Sequence, residues 1–195
     1  MNLFKKLFNS PKNKVTEEPS SELQNLPLDQ IFVQNFIKNN GKFLYCNTLQ
    51  EVIVNLNNII EENSWETISC NDNDLLKLIK SLDIKTTDKL TKQFPIFLSC
   101  EHLIAENGSI LLSSNQLKEH KIPELSEHFI VYATTSQLVT SKGESLTGIK
   151  ARYQGNIPSN ISAIKNYNLN SKDDDFMNYG NTNSKNLYLL LFEDL

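Results

Sequence analysis

The sequence predicts an α/β fold with a mostly parallel central sheet, flanked by helices and carrying one β-hairpin. Three observations predict it. Apolar residues recur at helical spacing in segments such as Val52, Ile53, Leu56, Ile59 and Ile60. These segments alternate with apolar runs of strand length, such as Leu187-Tyr188-Leu189-Leu190-Leu191-Phe192, and alternation of strands with helices favours a parallel sheet. Between two further apolar runs stands Asn107-Gly108, the strongest short-range hairpin signal.

The chain has 195 residues, which suits one domain with room for a tail. Apolar residues make up 39% and charged residues 22%, ordinary values for a soluble protein. A chain of this size buries about 70% of its unfolded surface and needs no disulfide or metal to fold. The net charge of -4 argues against nucleic acid as a partner, because nucleic-acid binders carry basic domains. No apolar run approaches the roughly 18 residues that cross a bilayer. Composition also excludes a coiled coil, collagen and a fully disordered chain.

Residues 1–27 read as a flexible tail with a short amphipathic helix. Leu3, Phe4, Leu7 and Phe8 fall on one helical face with Lys5 and Lys6 opposite, and Ser10-Pro11 ends it. Residues 1–9 therefore offer either a weak membrane-surface contact or only a frayed end, since two turns are marginal alone. The domain spans residues 28–195. A helix carrying Ile31, Phe32, Phe36 and Ile37 leaves through Asn39-Asn40-Gly41, a left-handed exit. Lys42 to Cys46 reads as a buried strand. Thr48-Leu49-Gln50-Glu51 is a capping box opening the next helix. Residues 65–70 form a short strand, and Asn71-Asp72-Asn73-Asp74 caps a helix with Leu75, Leu76, Leu78 and Ile79. Residues 83–93 carry no decisive pattern.

The second half is richer in strands. Residues 95–100, the hairpin arms 103–106 and 109–113, and residues 128–133 read as strands, and a helical stretch follows through Leu146, Ile149 and Tyr153. Residues 161–167 and 186–193 supply the last strands, separated by a polar loop containing Asp173-Asp174-Asp175.

The chemistry-bearing motifs of common enzymes are missing: no G-x-G-x-x-G, no phosphate-binding Walker loop, no G-x-S-x-G and no H-E-x-x-H occurs. Arg152 is the only arginine. Any anion site must use lysine, backbone amides or that one side chain. The three cysteines, Cys46, Cys70 and Cys100, are too few and too scattered for a disulfide framework, a zinc site or an iron–sulfur cluster. They read as buried thiols of a reducing compartment, and with no secretory signal at the start the expectation is a cytoplasmic protein without a cofactor. Cys100-Glu101-His102 is the densest reactive cluster. It is either half a metal site, a thiol beside its base, or a packed strand end. The Asp173 loop is either a cation-binding loop or a solvated acidic one.

The segment CEHLIAENGSILLSS, Cys100 to Ser114, resembles the hallmark of the LUD (lactate utilisation) domain family. The family's Ile-Ala-Glu-Thr-Gly-Thr hairpin is matched by Ile104-Ala105-Glu106-Asn107-Gly108-Ser109. The resemblance continues through Pro123-Glu124-Leu125, the strand His128 to Ala133, a helix start at Ser136-Gln137-Leu138-Val139, the segment Ile157-Pro158-Ser159 and the closing strand Asn186 to Asp194. The chain departs from the family at two glycine-containing motifs, a Gly-Pro-Ser run and a Gly-x-His-Gly-Pro run. Ile164-Lys165-Asn166-Tyr167 with the Asp173 loop, and Gly180 to Lys185, stand in their places.

The resemblance implies a fold like that of ribose-5-phosphate isomerase and the CoA transferases. It implies an accessory, non-iron-sulfur component of a system that oxidises L-lactate to pyruvate, with an iron–sulfur subunit as partner. Two other functions stay open: a degenerate interaction or regulatory module, and an enzyme acting on a small anionic or acyl substrate. Any ligand is expected at the hairpin, outside the carboxyl ends of the strands, where open α/β sheets bind ligands. A type I′ turn at Asn107-Gly108 would have positive φ at both residues. Glu106 and Ser109 would flank it, with Ser113 and Ser114 ending the second strand. Lys185, closing the second departed segment, completes the candidate set.

Overall fold

The computed structural model describes residues 26–169 and 183–194. The tail with its 1–9 helix and the Asp173 loop lie outside the described residues. Six strands make one parallel sheet in the order β1-β10-β7-β4-β2-β3. They are β1 (Lys42–Cys46), β2 (Thr67–Ser69), β3 (Lys85–Thr87), β4 (Ile96–Leu98), β7 (His128–Thr134) and β10 (Asn186–Phe192). A second, mixed sheet has the order β8-β5-β6-β9, from β5 (His102–Ile104), β6 (Ser109–Leu112), β8 (Leu138–Val139) and β9 (Ser162–Ile164). The helices are α1 (Leu28–Lys38), α2 (Leu49–Glu62), α3 (Asn73–Ile79), α4 (Ser114–Leu117) and α5 (Lys142–Tyr153). The α/β class with a parallel sheet holds.

The two central strands show why the layers form. On β10, Leu187, Leu189 and Leu191 face one side of the sheet, while Tyr188 and Leu190 face the other. On β7 the split is Phe129, Val131 and Ala133 against Ile130. This is the two-residue period of a strand buried on both faces. The Tyr188 face is covered by Val52, Leu56, Ile59 and Ile60 of α2 and by Leu75 and Ile79 of α3. The Leu189 face is covered by Phe32, Val33 and Phe36 of α1 and by Leu103, Ile110 and Leu112 of the small sheet. The outer side of the small sheet packs Ile104, Leu111 and Val139 against Ile149 of α5.

Local chemistry sets the element ends. Thr48 Oγ1 accepts from Glu51 N, and Glu51 Oε2 accepts from Asn47 N at 2.7 Å, so the expected cap opens α2. Asp72 Oδ1 accepts from Asp74 N and Leu75 N at the start of α3. Asn40, with φ 68°, takes the left-handed position after α1.

Several expectations are corrected. Residues 83–93 contain β3, an edge strand of polar residues, Lys-Thr-Thr, which carries no apolar alternation. The expected helix start at Ser136 is a single 3₁₀ turn, Thr135–Gln137, leading into β8. The hairpin supplies the expected antiparallel pair, β5 with β6, and stands in the second sheet. Its register pairs Ile104 with Ser109, so the loop is the four residues 105–108. Only Gly108 has positive φ, at 65°, which excludes the type I′ turn. Ser113 does not end a strand; it caps α4, accepting from Asn115 N.

Candidate functional site

The hairpin turn is held from beneath by α1. Asn35 Nδ2 donates to Ala105 O and Asn39 Nδ2 to Asn107 O, both at 2.8 Å, and Tyr167 Oη donates to Gly108 O at 2.7 Å. A Cβ on Gly108 would stand 2.4 Å from Phe36 N, so glycine is required by contact as well as by φ. Glu106 is exposed and accepts from Lys142 N, the first amide of α5, at 3.1 Å. Asn107 Oδ1 accepts from Ser109 N. Ser109 is buried, and its Oγ has no hydrogen-bond partner. Since Asn39 directly follows α1 and precedes β1, the turn lies toward the amino edge of the parallel sheet. The expected position outside the carboxyl ends is thereby corrected.

What stands at the carboxyl edge is a polar cluster around Glu101, three residues past the end of β4. Glu101 is 1% exposed. Its Oε1 accepts from Ser113 Oγ at 2.6 Å, Asn115 Nδ2 at 2.9 Å and Gln116 Nε2 at 3.2 Å. Its Oε2 accepts from Tyr153 Oη at 3.0 Å, with Arg152 Nη1 at 3.8 Å. Burial alone would raise the carboxyl pKa, but the donors from Ser113, Asn115, Gln116 and Tyr153 outweigh it and hold the group below its ordinary value. Four elements or their ends converge here: the segment after β4, the end of β6, α4 and the last turn of α5. Ser113 serves twice, capping α4 and donating to Glu101. Ser114, half-buried, donates its amide to Ser159 O.

Cys100 and His102 flank Glu101 and share one neighbour. Gln137 Nε2 donates to Cys100 O, and Gln137 O lies 3.3 Å from His102 Nδ1. His102 Nε2 is buried without a partner, against α5, where a Cβ on Gly148 would stand 3.1 Å from it. Burial lowers the His102 pKa and raises that of the Cys100 thiol. A buried thiol pushed toward its protonated form is inert. Among the described residues, no three His, Cys, Asp or Glu side chains stand together as a metal site. Of the open readings for this segment, the packed strand end fits best.

Beside the cluster, Asn71, Asp72, Ser99, Asn115, Gln116 and Lys118 line a cavity of about 140 Å³. Ser99 Oγ donates to Asp72 Oδ2 at 3.1 Å. On the neighbouring stretch of the same edge, Asp194 accepts from Thr135 Oγ1, Ser136 N and Ser136 Oγ at 2.7–2.9 Å. Lys185 belongs to none of this. Its Nζ donates to Leu125 O at 3.1 Å, and it lines a separate cavity to which the hairpin contributes no residue. The candidate set is thus divided: Glu106, Asn107, Gly108 and Ser109 at the turn, Ser113 and Ser114 at the other end of β6, Lys185 apart. Glu101 and Tyr153, the centre of the polar cluster, were not among the expected ligand residues, and the available signal was a lone carboxylate inside the run Ile96 to Ala105.

No family model matches the sequence, and no curated protein matches it. Among solved structures, the crystal structure of a DUF162 family protein from Deinococcus radiodurans is similar, with a TM-score of 0.56 at 12% identity, covering 90% of this chain and 99% of that one. The likeness is one of fold: the chain shares the architecture of a DUF162 family protein.

Proposed function

We propose that the chain is an accessory, non-iron-sulfur component of a system that oxidises L-lactate to pyruvate, resembling lactate utilisation protein C and partnered by an iron–sulfur subunit. The observation that carries this reading is the ordered set of LUD-like segments, from Cys100-Glu101-His102 to the closing strand, on a fold shared with a DUF162 protein. The cysteines support it. Cys46, Cys70 and Cys100 are free, buried and placed at the ends of three different strands, and burial raises all three thiol pKa values, that of Cys70 to about 11. Three thiols at separate strand ends do not provide the clustered set of four cysteines that an iron–sulfur site usually takes. The test is deletion of the gene in its own host. Growth on L-lactate as sole carbon source should be lost and restored by the full chain, and a tagged chain should retain an iron–sulfur protein. Normal growth of the deletion strain on L-lactate would sink the reading.

A second reading, an interaction or regulatory module, is favoured by the closed state of the Glu101 cluster. The carboxylate has four donors from its own chain, and the cavity beside it, about 140 Å³, is small for a substrate. Growth loss on L-lactate that a purified complex shows to be independent of turnover by this chain would favour this reading.

A further inference from the structure

The amino edge of the parallel sheet holds a cavity of about 820 Å³, within the size range of small-molecule sites. Residues at the entries to four neighbouring strands line it: Trp65 before β2, Phe94 before β4, His128 at the start of β7 and Lys185 before β10. Trp65 and His128 stand edge to face, with ring centroids 5.4 Å apart.

Lys185 is the unusual member. It is 4% exposed. An ammonium has three donors, and among the described residues Nζ meets Leu125 O, to which it donates, and the Phe129 ring, 5.4 Å from Nζ to centroid. No carboxylate of the described residues pairs with it, although buried cations are normally paired. Glu66 and Glu127 line the same cavity, but both are exposed at its rim, as is Lys92. His128 Nδ1 accepts from Asn186 Nδ2 at 3.1 Å, which leaves the proton of the neutral ring on Nε2 as a second donor. Burial keeps that ring neutral by lowering its pKa.

We propose that this cavity binds a small organic carboxylate, its anionic end on Lys185 and its apolar body between Trp65 and Phe94. One buried positive charge suits a monoanion. The two rim carboxylates oppose a phosphate dianion, and the bidentate arginine that phosphate sites favour is absent. Burial has lowered the Lys185 pKa to about 8, and the Glu127 carboxylate at the rim only partly offsets it. This site is independent of the lactate-system reading.

Trp65 is the only tryptophan of the chain, so its emission reports on this cavity alone. The probe is 3-phenylpropionate, titrated against the full-length protein. Its addition should change the emission saturably by about 10 mM, and the Lys185→Met variant should bind at least about tenfold more weakly. Inorganic phosphate at the same concentration should not compete. Should Lys185→Met fail to fold, the wild-type protein decides: 3-phenylpropionate should slow acetylation of Lys185 by acetic anhydride several-fold while leaving exposed Lys77 unchanged, read by peptide mass spectrometry. Absence of a saturable change, unaltered affinity in folded Lys185→Met, unprotected Lys185, or equal competition by phosphate would each overturn the proposal.

Discussion

The two edges of the parallel sheet treat a buried charge in opposite ways. At the carboxyl edge, Glu101 is surrounded by donors from Ser113, Asn115, Gln116 and Tyr153. At the amino edge, Lys185 has one carbonyl and an aromatic ring and faces a cavity of about 820 Å³. The first charge is satisfied by its own chain and ties four segments together. The second is only partly satisfied among the described residues. Removing a satisfied buried charge orphans its partners, whereas removing a poorly paired one relieves a desolvation cost. Burial alone therefore does not separate a structural charge from a binding one; the count of partners does.

Mutations can break or sharpen this contrast. Glu101→Ala should have the largest effect, a loss of about 3–5 kcal/mol, because four donors lose their acceptor in a buried site. Thermal denaturation should show a midpoint lowered by roughly 10 °C, and an unchanged midpoint would mean the cluster holds nothing together. Gly108→Ala comes next. It tests the hairpin that links the edges, starting beside Glu101 and ending against α1. The added Cβ meets Phe36 N at 2.4 Å with φ at 65°, so denaturant unfolding should show a loss of about 2–3 kcal/mol. Lys185→Met should shift stability by no more than about 1 kcal/mol, or raise it, since an apolar side chain of similar length replaces a desolvated ammonium. A loss as large as that of Glu101→Ala would erase the contrast.

The smallest effect is a pH effect at the carboxyl edge. Burial opposes ionisation of Asp194, but hydrogen bonds from Ser136, Thr135 and Thr134 prevail and hold its pKa at about 2, below the ordinary 3.8. The native state therefore binds this proton less readily than the unfolded chain. Its stabilising contribution is complete above about pH 4 and is lost as pH falls toward 2. The melting temperature should decline over that window, and Asp194→Asn should decline less.

The sequence made the main sheet legible except for β3, and left β8 of the small sheet unread. Strands β7 and β10 are seven residues each and nearly continuous apolar runs, and α2 carries a regular apolar face, so local pattern suffices. Strand β8 has two residues, too short for any period to register, whereas β9 falls inside the expected strand 161–167. In the structure β8 pairs with β5 and β9 with β6, one on each outer edge of the hairpin. The hairpin itself was legible at Asn107-Gly108, but its loop length was not, because the turn is fitted to Asn35, Phe36 and Asn39, about 70 positions away in sequence. The candidate residues divided for the same reason. Ser113 reaches Glu101, which in turn meets Tyr153 52 positions later, a pairing made by the docking of α5 and by no spacing. Lys185 entered the candidate set as a residue of the departed segment, but its burial shows only once β7 is placed beside β10.

The cysteines described above have a practical consequence. Each closes a different parallel strand: Cys46 at the end of β1, Cys70 just after β2, Cys100 just after β4. All are buried and unpaired. A thiol-reactive reagent therefore reaches each one only when its own strand end opens. Pulsed labelling followed by peptide mapping would time the fraying of one outer strand and two inner ones in a single sample, with no engineered label.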